Sequence, residues 1–477
     1  MKILLTDATG YLGRRLKNRL LEEEDVRLRL FVRDARQLSE STKQNIDIIE
    51  GDIHDRGTIK MAVDGIDVVY YPIRFLGALW ESEFDRDSVQ SFRDACIEAG
   101  VKRLIYVGLN IADNTSIKFL RDVIRTAEIL RARPENIQTI WLRTGVLLGS
   151  GSVMFELLSN IVQKIPVIIL SPWMKTKMSP VGVTDVIEYL IRTKDLEMKD
   201  NIIIDIGSEP ITFKDMLKTA AEVMGLRRIF IPLPFSARRL SSFLLALATP
   251  FSYSLASALI KALESGEIRP VSATDEVPKR YFPDISPMSF RDALKEAILE
   301  IEKDQLTSRW VDTLPKMFRV SLDQDIAKAV YQDVRIMSIG DVPPYKIYNA
   351  IKSIGGRKGW FTFDFLWRIR GFLDKLAGGY GTAMGKRSIS NLRVGDMLDV
   401  WKVVDLTENR RLLLEAQMKV FGRAWLEFKI EGDNLIQTAY HYPNGFLGRL
   451  YWYSMVPFHA IIFRDMIRSI IKQAHEM

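Results

Sequence analysis

The chain has one cysteine, Cys96, in 477 residues. An intrachain disulfide is therefore excluded, and no thiolate metal site can be assembled. Histidine is nearly as scarce: His54, His441, His459 and His475 are scattered with no zinc-ligand spacing, so no metal centre is expected. Lysines and arginines outnumber acids by 67 to 60 without forming a basic stripe, which argues against nucleic acid and only weakly for anionic ligands or surfaces. The first strand begins at the start of the chain, so no secretory leader is expected ahead of it, and a reduced, cytoplasmic setting is the expectation. Long charge-free runs are also rare. The one that stands out, Leu240 to Ile260, is long enough to span a bilayer. It is broken by Pro250 and carries Ser241, Ser242, Thr249, Ser252, Ser254 and Ser257. Those residues favour a broken helical hairpin lining a pocket over a true span, with a peripheral membrane contact as the intermediate option.

With 47% hydrophobic and 27% charged residues, the composition is globular, and the length calls for two or three domains. The first thirty-four residues organise the rest. Lys2 to Thr6 has the length of a buried strand. Asp7-Ala8-Thr9-Gly10-Tyr11-Leu12-Gly13 follows, and Leu12, Leu16, Leu20 and Leu21 then fall at helical spacing among Arg14, Arg15, Lys17 and Arg19. A second strand, Val26 to Val32, ends in Arg33-Asp34. Strand, glycine turn, helix and strand make one βαβ unit, with the glycines where a dinucleotide pyrophosphate would meet a helix N-terminus. Gly10 would let backbone amides approach a phosphate, and Gly13 would let the helix pack closely. Arg33 can reach an adenosine ribose, where an arginine favours a 2′-phosphate, so NADP is expected over NAD. One residue cuts against this pattern. Asp7 stands where a first glycine is expected, and a carboxylate there repels a pyrophosphate and crowds the turn.

The alternation continues. Ile46 to Glu50 is a third strand leading to Gly51-Asp52-Ile53, where Asp52 could meet an adenine amine and Ile53 the ring face. A fourth strand ends at Pro72, a fifth runs into Gly108-Leu109-Asn110, and a sixth covers Thr139 to Arg143. Helices fall between them, at Phe84 to Ala99 and Ile117 to Arg131 among others. The expected fold is α/β, a doubly wound parallel sheet of Rossmann type with its ligand crevice at the carboxyl ends of the strands. Residues 230–290 read as a mostly helical lobe covering that crevice. The candidate cofactor-binding set is Thr6, Thr9, Gly10, Tyr11, Leu12, Gly13, Arg33, Asp34, Asp52, Ile53, Pro72 and Gly108.

The glycine turn, Val32-Arg33-Asp34, Gly51-Asp52-Ile53, Gly100-Val101-Lys102-Arg103-Leu104-Ile105-Tyr106, Leu142-Arg143-Thr144-Gly145 and Pro180-Val181-Gly182-Val183-Thr184-Asp185-Val186 occur in that order. Together they resemble an atypical, extended-type short-chain dehydrogenase/reductase, nearest the subgroup with NmrA-like and complex-I-accessory-like NAD(P)-binding proteins. The resemblance covers roughly residues 1–300 and implies NAD(P) in the crevice with a substrate lobe beside it. It also implies a Tyr-x-x-x-Lys pair on the helix after the fifth strand, and that pair does not carry over. One register places Phe119 and Val123 there, the next Leu120 and Ile124, and neither can move a proton. The serine expected after the fifth strand is replaced by Gly108-Leu109-Asn110. Lys118 and Arg121 could contact cofactor or form a solvated face. The catalytic residues stay unassigned.

Domain boundaries are expected at 1–305, a linker at 306–317, and 318–477. In the last segment, strand candidates at Asp396 to Asp405, Arg411 to Val420, Ala424 to Glu431 and Leu435 to Tyr442 have hairpin spacing, and a long amphipathic helix runs from Leu447 to about Gln473. An antiparallel sheet on a long helix is an α+β grip. It resembles the uncharacterised domain fused behind such dehydrogenase-like domains, of START/polyketide-cyclase helix-grip type, which implies an apolar cavity. Trp360, Phe363, Phe365, Trp367, Trp401, Trp425, Tyr440, Tyr451, Trp452 and Tyr453 could line it or form ordinary core. Arg449, Arg464, Arg468 and Lys472 make the final helix basic, which suits either packing across a sheet or lying on a membrane. Two functions are compatible with these features. One is an NADP(H)-dependent oxidoreductase or isomerase on an apolar small molecule. The other is a non-catalytic NAD(P)-binding redox sensor or assembly factor. No feature sets an oligomeric state.

Overall fold

The computed structural model describes residues 1–38, 42, 46–72, 85–198, 200–235, 238–249, 251–271, 276–303, 305–313, 329–356, 359–361, 363–376, 379, 381, 385–388, 391–418 and 420–477. Pro250 and residues 314–317 of the linker expected at 306–317 lie outside these residues. The chain divides into two compact units, Met1–Thr249 with Leu255–Pro315, and Lys316–Met477 with Pro250–Ser254.

The first unit is built on seven parallel strands: β1 Lys2–Thr6, β2 Arg27–Val32, β3 Asp47–Glu50, β4 Val68–Pro72, β5 Arg103–Leu109, β6 Gln138–Thr144 and β7 Ile202–Ile206. Their order is β7-β6-β5-β4-β1-β2-β3. The chain reverses direction across the sheet between β1 and β4, so the carboxyl end of β1 lies at the switch point where doubly wound sheets hold ligands. Ile3, Leu4 and Leu5 have no exposed surface, as a strand covered on both faces requires. The helices are α1 Tyr11–Leu20, α2 Arg56–Val63, α3 Arg86–Glu98, α4 Lys118–Leu130, α5 Val153–Lys164, α6 Val183–Thr193, α7 Phe213–Val223, α8 Arg238–Ala248, α9 Tyr253–Glu264, α10 Val277–Tyr281 and α11 Phe290–Glu302. Short polar side chains start many of them. Asp55, Asp85, Ser152, Thr212 and Ser289 each accept a hydrogen bond from a first-turn amide. Gly100, at φ +73°, ends the turn after α3. Neither Thr184 nor Asp185 caps α6. Gly182 holds that position, Thr184 donates to Glu296, and Asp185 accepts from the Met288 amide at 3.0 Å.

One face of the sheet packs Leu16 and Leu20 of α1 and Val186 and Leu190 of α6 on Ile3, Leu5, Leu30, Tyr70, Ile105 and Ile140. The charge-free run folds as two helices, α8 and α9, and among the described residues no helix is long and apolar enough to cross a membrane.

The second unit is α+β. β8 Tyr331–Ser338, β9 Met397–Leu398, β10 Trp401–Thr407, β11 Arg411–Ala416, β12 Gly422–Glu431 and β13 Asn434–Pro443 form an antiparallel sheet ordered β8-β13-β12-β11-β10-β9. Asn409 at φ +56° and Gly432 at φ +53° turn two of its hairpins. α12 Pro344–Ser353, α13 Asp364–Leu376 and α14 Gly445–Glu476 complete it. The carboxyl-terminal half of α14 buries Ile462, Phe463, Met466, Ile467 and Ile470 in one core with Leu412, Leu414, Leu426, Phe428 and Leu435 of the sheet. Trp360, Trp367 and Trp401 join that core, the first two stacked at 4.9 Å. Phe363, Phe365 and Tyr453, by contrast, are exposed.

Candidate functional site

β1 ends at Thr6, whose hydroxyl donates to the Tyr70 carbonyl of β4 at 3.2 Å and so ties together the two strands at the switch point. Asp7 then adopts φ +52°. That left-handed conformation suits glycine, and aspartate is among the few other residues that tolerate it. The Asp7 carbonyl accepts the Gly10 amide at 2.8 Å and closes the turn. A Cβ on Gly13 would stand 2.1 Å from that same carbonyl oxygen, so only glycine lets α1 start this close to the turn. At Gly10 the obstacle is different, because a Cβ would fall 2.0 Å from Asp7 Oδ2. The aspartate carboxylate itself faces the bare Cα of Gly10. The crowding expected from Asp7 is thus real, while the turn that the first glycine would have made is kept. No side chain caps α1 at Gly10.

The other candidate residues fall along the carboxyl edge of five adjacent strands, β5, β4, β1, β2 and β3. Thr9 offers its carbonyl to Arg14 Nε at 2.8 Å. The Tyr11 phenol donates to the Ser150 carbonyl at 3.2 Å, and burial pushes its pKa up to about 12. It is therefore held as a structural donor. Leu12 is core. Arg33 is exposed just past β2, its Nε 3.9 Å from Asp52 Oδ2. Asp52 also accepts the His54 amide at 3.1 Å, and Ile53 beside it is half-buried. Asp34 is turned to its own loop, accepting the Arg36 amide at 3.1 Å and the Arg36 guanidinium at 2.9 Å. Pro72 is buried opposite Val107, and a Cβ on Gly108 would meet Trp141 Nε1 at 3.0 Å.

Three features had no signal in the sequence pattern. First, α1 buries cations that an amphipathic helix would leave in solvent. Arg15 donates to the Ser150 carbonyl at 2.9 Å and to Glu300 at 3.2 Å, and Lys17 donates to Thr42 at 3.0 Å. Arg14 is 5% exposed, and its Nη2 has no hydrogen-bond partner among the described residues. Arg14 lies three residues before Lys17 on the same helix face, and Lys17 contacts the segment that follows β2. Second, the lobe clasps the end of β5. Ile268 bridges Ile111, the Arg269 amide donates to the Asn110 carbonyl at 3.0 Å, and Glu267 accepts from Thr115 and from Ser116 Oγ at 3.0 Å. Burial opposes ionisation of Glu267, but these hydrogen bonds outweigh it and hold the carboxyl below its ordinary range. Third, His54 Nδ1 lies 2.8 Å from Asp85 Oδ2 and 2.6 Å from Ser88 Oγ. Both partners meet one ring nitrogen, so this is a clasp on the start of α3 and no proton relay.

These features fit an anionic dinucleotide on the carboxyl edge of the sheet. The uncapped start of α1 and the orphaned Arg14 Nη2 favour negative charge, and Asp7 opposes it. The fold and turn define an NAD(P)-binding domain of Rossmann type followed by a separate antiparallel-sheet domain. Residues 8–135 match a family model described as "NAD(P)H-binding". Residues 326–466 match one described as "Protein of unknown function (DUF2867)". Among solved structures, the chain resembles a Citrobacter sp. triphenylmethane reductase at 19% identity and a TM-score of 0.51, over 63% of this chain and 100% of that one. A second structure of that reductase, complexed with NADP(H), aligns at 18% identity and 0.50, over 62% and 100%. A nucleoside-diphosphate-sugar epimerase from Staphylococcus aureus aligns at 16% identity and 0.50, over 62% and 100%. At such identities the likeness concerns the fold.

Proposed function

We propose that the amino-terminal unit binds NADP(H) in preference to NAD(H) and acts as an oxidoreductase or isomerase on an apolar small molecule. The observations that support the cofactor preference are Arg33, exposed past β2, and Arg14, buried on α1 with Nη2 lacking a hydrogen-bond partner among the described residues. A 2′-phosphate would place an anion beside Arg33, whose exposed guanidinium can reach it from the end of β2. Thr9, Tyr11, Leu12 and Gly13 would hold the pyrophosphate by backbone amides, Gly10 contributing its bare Cα while its own amide closes the turn on Asp7, with Ile53 on the adenine and Pro72 and Gly108 along the strand ends. The bound cofactor would supply hydride chemistry, and the protein would supply its placement.

A second reading is a non-catalytic NAD(P)-binding sensor or assembly factor. It is favoured by the helix after β5, where Leu120, Val123 and Ile124 are buried side chains without a transferable proton, in place of a Tyr-x-x-x-Lys pair. A carboxyl-terminal unit of helix-grip type, its sheet lying against a long helix, would hold an apolar ligand under either reading.

Titration of the purified chain with NADPH and NADH, followed by nicotinamide fluorescence, tests the first reading. NADPH is expected to bind more tightly. Arg33→Ala should cost NADPH about tenfold in affinity and leave NADH within about twofold. Equal losses for both would remove the 2′-phosphate assignment. Turnover of a panel of aldehydes, ketones and enones would separate the enzyme from the sensor.

A further inference from the structure

One face of α14 changes chemistry halfway along. Its outward residues read Phe446, Leu450, Tyr453, Pro457 and Ile461, and the same helical face then continues as Arg464, Arg468 and Lys472. Phe446 is 76% exposed, Tyr453 63% and Ile461 58%. Side chains of this size are unusual on a surface, and a run of them marks a site of contact. α13 lies beside this half of the helix, with the Arg370 guanidinium on the Tyr451 hydroxyl. It adds a second exposed stripe of Phe365, Ile369, Phe372 and Leu376 at intervals of three and four.

Charge selects the occupant. From Asn434 to Arg464 the chain contains no aspartate or glutamate. Residues 316–477 hold 24 lysines and arginines against 16 acids, a formal +8, whereas residues 1–315 hold 43 against 44. The whole basic excess of the protein belongs to the unit that carries the apolar stripes. A second copy would offer the stripe of α14 the same cations, with no carboxylate from Asn434 to Arg464 to meet them. An anionic bilayer offers both acyl chains for the aromatic stripe and phosphates for the cations.

We propose that α13 and the amino-terminal half of α14 seat this protein on an anionic lipid bilayer, with both helices in the plane of the interface. Phe446, Leu450, Tyr453 and Ile461 enter the boundary between headgroups and acyl chains, and Arg449, Arg464 and Arg468 lie among the phosphates.

Co-sedimentation of the full chain with phosphatidylcholine vesicles, with and without phosphatidylglycerol, tests this. The chain is expected to pellet with the anionic vesicles at least about tenfold better than with the neutral ones. Leu450→Asp should reduce that partition about tenfold, and so should Arg464→Glu combined with Arg468→Glu. All these side chains are exposed, so an unchanged thermal melt will verify that each variant is folded. Equal partition to both vesicle types, or none to either, overturns the proposal. So does a lipid-free dimer of the wild-type chain that Leu450→Asp dissolves, which would assign the face to a second copy.

Discussion

α1 and the amino-terminal half of α14 depart from the usual distribution of side chains in opposite directions. α1 buries Arg14, Arg15 and Lys17, while α14 exposes Phe446, Leu450 and Tyr453. Burying a cation costs solvation, and leaving a large apolar surface in water forgoes its burial energy, so neither arrangement is the default. The two differ in what compensates them. Arg15 is held by Ser150 and Glu300, and Lys17 by Thr42, so most of the charge in α1 is satisfied inside the unit. Arg14 Nη2 is not. On α14 the deficit runs along a whole face. α1 is thus mainly architectural, with Arg14 Nη2 and Arg15 Nε left without a hydrogen-bond partner among the described residues, whereas the exposed face of α14 is proposed as a binding surface.

The largest effect is expected where architecture holds the charge. Arg15→Ala would leave Glu300 and Ser150 facing a cavity, at a cost of about 3 kcal/mol, read as a lower midpoint of denaturant unfolding. The figure is kept at the low end because Glu300 is 29% exposed. If Arg15→Ala unfolded at the wild-type midpoint, the burial of α1 cations would have no structural role and the contrast with α14 would vanish.

Much of this contrast is invisible in sequence, for physical reasons. The parallel sheet was readable because β1, β4 and β5 are short apolar runs bounded by Gly10, Pro72 and Gly108, and local periodicity carries that information. The turn was readable for the same reason, since Gly13 meets the Asp7 carbonyl only six residues away. The partners of Arg15 and Glu267 lie 135 to 285 residues off, and no local pattern encodes such pairings. The sequence of the final helix suits either packing across a sheet or lying on a membrane. It packs on the sheet along both halves, with Trp452 stacked on Tyr331 and His441 in the first half and Ile467 in the core in the second, while Arg464, Arg468 and Lys472 stand on the outward face. Periodicity gives the apolar faces of α14, and only the position of the sheet decides which part of them is covered.

A smaller effect is expected at the turn, where the charge is of the opposite sign. Asp7 keeps the left-handed backbone of the missing glycine but sets a carboxylate against Gly10. Asp7→Gly removes the charge and preserves the turn, so NADPH should bind about tenfold more tightly, a gain of about 1.4 kcal/mol. Asp7→Asn keeps the shape without the charge and should recover part of that gain. Unchanged affinity in both variants would show that the carboxylate does not face the phosphates, leaving the start of α1 and Arg14 to set the electrostatics of the turn.

The smallest effect is expected on stability at the exposed half of α14. Leu450 is 55% exposed and Ile467, on the same helix, 1%. Leu450→Ser removes little buried area and should move the unfolding free energy by no more than about 0.5 kcal/mol. Ile467→Ala, by the same reasoning, should cost about 3 kcal/mol, since it opens a cavity in the core beneath the sheet. The pair measures which face of the helix the sheet covers, independently of any lipid. A cost at Leu450 approaching that at Ile467 would mean that the outer face is already covered in the isolated chain. The asymmetry along α14 would then be one of packing partners, and the apolar stripe would have no surface left to give.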